Sequence, residues 1–168
     1  MLVSIGERSA MVQIAGRANF TSSVDFKSLL DQLLQRGYTC FILDLTECVL
    51  MDSTFLGVLA GFGLKLNSPQ VDKVDRTIQL FNPNGRISEL LENLGVLHLF
   101  KVTEGPAKAP EGSAPKDLES QNATREEVTR TCLEAHRTLM DISPDNVARF
   151  KDVAAFLADD LKKMKSGQ

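Results

Sequence analysis

Few residues in this chain are equipped for chemistry, and most of them stand alone. There are two histidines, His98 and His136, and three cysteines, Cys40, Cys48 and Cys132. The cysteines lack zinc-site spacing, and their odd number argues against a disulfide framework, so reduced thiols and no metal are expected. His98 lies among Val96, Leu97, Leu99 and Phe100, which reads as a strand-end or core histidine rather than a base. His136 sits between Ala135 and Arg137 on a helical pattern and is expected on a solvated face. No G-x-x-x-x-G-K-[ST] loop, G-x-G-x-x-G turn or G-x-S-x-G elbow occurs, so neither an enzyme nor a nucleotide cofactor is expected.

One cluster has a chemical use. Asp52-Ser53-Thr54 precedes an apolar helical stripe of Leu56, Leu59, Phe62 and Leu66. Asp52 can cap that helix and leave Ser53 in its first turn. Free N–H groups and the positive dipole end then surround the Ser53 hydroxyl. Those donors welcome a phosphate, while the adjacent carboxylate repels it. The pair reads either as a phosphorylation switch or as a plain N-cap.

The elements that must hold this cluster follow from periodicity. Leu2–Ile5 and Ala10–Ile14 read as a hairpin around Gly6-Glu7-Arg8-Ser9. Thr21-Ser22-Ser23 offers N-caps for a helix carrying Phe26, Leu29, Leu30, Leu33 and Leu34, stopped at Gly37. The apolar run 40–45 predicts a central strand buried on both faces. It leads through a short loop to Asp52. Gly57, Gly61 and Gly63 weaken the next helix by up to ~1 kcal/mol each, and allow it to approach the sheet or a docked surface closely. Ile78–Phe81 predicts a strand, Ile87–Leu94 a helix ended by Gly95, and Leu97–Val102 a last strand. The order β-β-α-β-α-β-α-β is an α/β domain with a mixed sheet packed with helices.

Composition divides the chain into residues 1–103, a flexible Pro/Gly/Ala/Ser-rich linker at 104–122, and a helical hairpin at 123–168. Val128, Cys132, Ala135 and Leu139 form one hairpin stripe, and Val147, Phe150, Ala154, Leu157, Leu161 and Met164 another. Ser143-Pro144-Asp145 between them predicts the second helix start. Two such stripes are expected to dock on an open sheet face or on a second copy. Equal numbers of acidic and basic residues over 121–168 favour a homodimer through the hairpin. The whole chain carries a net charge of -3 with a pI near 5.4, which argues against nucleic acid. Neither a signal peptide nor a membrane-length apolar run is present, so the expected location is the cytoplasm, without membrane insertion.

The run Leu43-Asp44-Leu45, followed by Met51-Asp52-Ser53-Thr54-Phe55-Leu56-Gly57-Val58-Leu59-Ala60-Gly61, resembles the signature of the STAS family of anti-sigma factor antagonists. Gly16-Arg17-Ala18-Asn19 and Asn82-Pro83 extend the resemblance over about residues 1–103. It implies a STAS fold and a regulatory role without catalysis. It implies that Ser53 is phosphorylated by a kinase-type anti-sigma factor and reset by a phosphatase, so that transcription is regulated. Asp52, Ser53, Thr54, Phe55, Leu56 and Asn19 are the implied partner surface. Two residues depart from the family pattern: Phe55 stands where a Gly is usual, and Asn19 where an Asp is usual. The Phe55 departure and the added hairpin favour the alternative of a non-switching interaction or transporter-associated scaffold module in which Ser53 only caps a helix.

Overall fold

The computed structural model describes residues 1–69 and 74–167. A six-stranded mixed sheet forms its centre. It contains β1 (Leu2–Ile5), β2 (Ser9–Gln13), β4 (Cys40–Asp44), β6 (Thr77–Phe81), β7 (Lys101–Thr103) and β8 (Lys116–Asp117), in the order β7-β6-β4-β2-β1-β8. β3 (Gly16–Ala18) and β5 (Cys48–Met51) pair in parallel as a second small sheet. The helices are α1 (Phe20–Gln35), α2 (Ser53–Asn67), α3 (Gly85–Asn93), α4 (Arg125–Ile142) and α5 (Asp145–Ser166).

The first hairpin closes where the sequence places it, with Gly6 N–H donating to the Ser9 carbonyl at 2.8 Å. α1 begins earlier than the Thr21-Ser22-Ser23 signal. Asn19 is its cap, in a capping box with Ser22. The loop expected after residue 45 contains β5, whose pairing with β3 brings the segment before α1 beside the segment before α2. Residues 97–99 form a 3-10 turn, so the last predicted strand is confined to Lys101–Thr103. α5 begins with Pro144 in the cap position, and the Ser143 side chain makes no capping bond.

β4 lies between parallel β2 and β6 and is central, but it is not equally buried on its two faces. Phe41 and Leu43 point into the core, while Cys40, Ile42 and Asp44 are half-buried. Residues 104–115 explain the other face. They carry the chain from β7 at one edge of the sheet to β8 at the other, five strand spacings or roughly 24 Å away. Asn82 holds the start of this segment through Gly105, with Asn82 Nδ2 donating to the Gly105 carbonyl at 2.8 Å. Pro110 packs against Gly6, and Leu118 N–H donates to the Met1 carbonyl at 2.9 Å. Ser4 and Met11, which register puts opposite to the core-facing Val3 and Val12, are buried. The Pro/Gly/Ala-rich stretch is thus held at Gly105, Pro110 and Leu118.

The helical hairpin docks on the helix layer rather than on an open sheet face. α4 packs on α2 and α1, and Leu139 joins the main core. Glycine makes this possible. A Cβ at Gly57 would stand 2.6 Å from the Ala135 carbonyl oxygen, and one at Gly63 would stand 3.0 Å from the Phe100 ring. α2 therefore touches the core on one side and α4 on the other, which is why it is apolar on nearly every face.

Candidate functional site

Asp52 stands where two helices begin. Its Oδ1 accepts from the Phe55 N–H at 2.8 Å and caps α2. Its Oδ2 accepts from the Phe20 N–H at 2.7 Å, the first residue of α1. Each helix start carries roughly half a positive charge, so two such ends converge on one carboxylate. Asn19 completes the junction, its Oδ1 accepting from the Thr21 N–H at 3.1 Å. The pairing of β3 with β5 sets this up, because Ala18 and Met51 are register partners one residue before Asn19 and Asp52.

Ser53 opens α2 and is half-buried. Its hydroxyl lies 3.0 Å from His136 Nε2, on α4. His136 Nδ1 lies 2.7 Å from the Cys132 carbonyl oxygen. A carbonyl only accepts, so Nδ1 carries the proton. In the neutral ring Nε2 then offers its lone pair and Ser53 donates to it. Phe150 of α5 packs against the imidazole with ring centroids 4.9 Å apart. Next to Ser53, the Thr54 hydroxyl donates to the Cys132 sulfur at 3.7 Å. Burial pushes the Cys132 thiol above its ordinary pKa, and the nearby Asp52 charge acts in the same direction, so it stays protonated.

The implied partner surface is only partly at the surface. Asn19, Asp52 and Ser53 are half-buried and accessible. Phe55 is 0% exposed and stacks on Phe26 at 4.4 Å, and Leu56 is in the same core, so neither can meet a partner in this arrangement. Thr54 is buried beneath α4. The departure to Phe at position 55 is therefore absorbed by the core instead of altering the surface. His136 overturns the expectation of a solvated face: it is 6% exposed. A signal for it was present, because Cys132 and His136 are one helical turn apart on the face that also holds Leu139.

The hydroxyl–imidazole–carbonyl chain joins α2 to α4. The best-formed groove among the described residues, about 280 Å³, lies between α1, α2 and α4, and neither Ser53 nor His136 lines it. Among the described residues no three His, Cys, Asp or Glu side chains gather as a metal site. No helix among them is long and apolar enough to cross a membrane.

Residues 3–109 match the family model of the STAS domain. Among solved structures, SpoIIAA, an anti-sigma factor antagonist determined in its unphosphorylated form, aligns with a TM-score of 0.53 at 15% identity. That alignment covers 63% of this chain and 89% of SpoIIAA. TM1081 of Thermotoga maritima, described as a candidate anti-sigma factor antagonist, aligns with a TM-score of 0.52 at 19% identity. It covers 62% of this chain and 85% of TM1081. At these identities the likeness is one of fold. Among curated proteins none matches the chain. The matched segment ends at 109, so α4 and α5 lie outside it.

Proposed function

The chain belongs to the STAS domain family, and on that premise we propose that it is a cytoplasmic anti-sigma factor antagonist switched by phosphorylation of Ser53. The observation that carries this reading is the Asp52–Ser53 step at two converging helix N-termini. Unphosphorylated, the protein binds a kinase-type anti-sigma factor through the start of α2 and the neighbouring Asn19, and so frees the sigma factor. Phosphorylation adds about -1.5 to -2 charges. Helix-end N–H groups tolerate the phosphate, but beside Asp52 it makes the surface strongly acidic. Like charge and desolvation then weaken docking, and a phosphatase restores it. ATP and Mg²⁺ belong to the partner kinase.

Incubation with the cognate kinase and ATP, followed by mass mapping, tests this. The expected result is a single phosphate on Ser53, none on Ser53→Ala, and constitutive kinase binding by that variant. Phosphate on another residue, or none, overturns the reading. One observation favours a non-switching scaffold instead: the Ser53 hydroxyl is engaged by His136. That alternative expects no phosphate and unchanged partner binding in Ser53→Ala.

A further inference from the structure

The α4–α5 pair makes two different kinds of contact with the rest of the chain. At its corner the contact is buried and hydrogen-bonded. Asn146 is fully buried, and its Nδ2 donates to the Leu94 carbonyl at 2.9 Å and to the Leu139 carbonyl at 2.8 Å. Towards the start of α4 the contact combines a close apolar approach, Ala135 against Gly57, with polar pairs. His136 meets Ser53, Cys132 meets Thr54, and Glu134 pairs with Lys27 at 2.7 Å in an exposed ion pair. The 280 Å³ groove runs along the same seam and is lined by Gly57, Gly61, Ala135 and Thr138. Contacts within one chain that mix polar pairs with apolar packing are the kind at which parts of a molecule move relative to one another. The family match ends before this pair begins, so it is an addition laid over the start of α2.

We infer that α4 and α5 form a displaceable cover on the N-terminal half of α2, occupying in cis the surface that a partner helix takes when the cover lifts. The surface suits a helix because Gly57 and Gly61 lie one turn apart and admit a close backbone, as they now admit Ala135 and Thr138. A phosphoryl group on Ser53 Oγ replaces the hydroxyl hydrogen that now bonds His136 Nε2 at 3.0 Å and adds bulk at the edge of α4. Cover and phosphate therefore oppose each other, and whatever opens the cover favours the modified state to the same degree. The consequence for Ser53 rests on the function proposed above; the cover itself does not.

Two native cysteines report on it in the full-length chain. Cys132 lies under the cover seam and Cys48 in the core. In a Cys40→Ser background, a maleimide should label Cys132 at least tenfold faster than Cys48 under native conditions. Gly57→Ala places a methyl against the Ala135 backbone and should speed Cys132 at least tenfold further, keeping it at least tenfold ahead of Cys48. Ala135→Glu, which alters only the cover, should do the same and guards against misfolding of α2. The pair Gly61→Cys with Thr138→Cys provides a lock, because a Cβ at 61 lies 3.7 Å from the Thr138 side chain. Oxidised, it should slow Cys132 to the rate of Cys48, and reduction should reverse this. If Cys132 and Cys48 react at one rate in every variant, the pair opens only with the whole fold and the inference is wrong. Ser53 phosphorylation by the cognate kinase at equal rates in the oxidised and reduced lock overturns the consequence for Ser53. Absence of phosphate on Ser53 in the opened variants overturns the proposed function and leaves the cover standing.

Discussion

Asp52 performs at one carboxylate what usually takes two residues. Its two oxygens accept from the first turns of two helices, at 2.8 and 2.7 Å. An N-cap is worth about 1 kcal/mol, and hydrogen bonds to a charged group about 1.5–3 kcal/mol. Asp52→Ala should therefore lower unfolding free energy by about 2–4 kcal/mol in urea titration. Asp52→Asn keeps one acceptor oxygen and turns an NH2 towards the other helix, so its loss should be about half as large. Equal losses for the two variants would mean that the α1 contact contributes nothing. Ser53→Ala deletes one neutral hydrogen bond and should cost only about 0.5–1.5 kcal/mol, which makes it a clean variant for the phosphorylation test. The cap on α2 was legible in the sequence, since Asp52 directly precedes the apolar stripe. The bond to Phe20 was not, because it joins residues 32 positions apart, and only the β3–β5 pairing brings them together.

Among the elements, β4 separates pattern from burial. Its run of apolar residues implies two buried faces, yet Leu43 is fully buried and Ile42 is half-buried. Large-to-small changes in a packed core cost about 2–5 kcal/mol. Leu43→Ala should reach that range, and Ile42→Ala should stay near or below its lower end. A reversal of the two in chemical denaturation would mean that the strand faces the other way. The helices and strands of residues 1–103 were readable because each carries its own period and stop signal, such as Gly37 at φ 87° and Gly95 at φ 70°. The two short strands β3 and β5 were missed because three or four residues carry no usable period. The glycines of α2 announced a close approach, but spacing alone could not say to what. α4 answers that, and the same answer moves His136 from a solvated face to a buried one and withdraws Thr54 from the partner surface.

At the scale of the whole molecule the chain has three parts with different attachments. The sheet and α1–α3 form the core, residues 104–122 cross that sheet and add β8 to its edge, and α4–α5 lie over α2. The stripe on α4, which favours self-association when read alone, is spent on the core of its own chain. Phe156, 68% exposed, remains as apolar surface on α5. Stability in such a molecule is not uniform, and parts joined by few dry contacts open at lower free energy than the sheet. Asn146 is the place to separate the two. Its amide satisfies the Leu94 and Leu139 carbonyls, tying the corner of the helical pair to the end of α3. Asn146→Ala leaves the Leu94 carbonyl without this donor, at about 1–3 kcal/mol, while the Leu139 carbonyl keeps the Ser143 N–H at 3.3 Å. Native-state hydrogen exchange should then show amides of α4 and α5 opening at a lower free energy and with a smaller denaturant slope than those of β4, with both free energies lowered by the substitution. If instead α4 and β4 amides share one opening free energy and one denaturant slope, the corner is part of one cooperative unit with the sheet. The helical pair would then be a permanent wall of the fold, with the first turn of α2 closed to any partner in the native state.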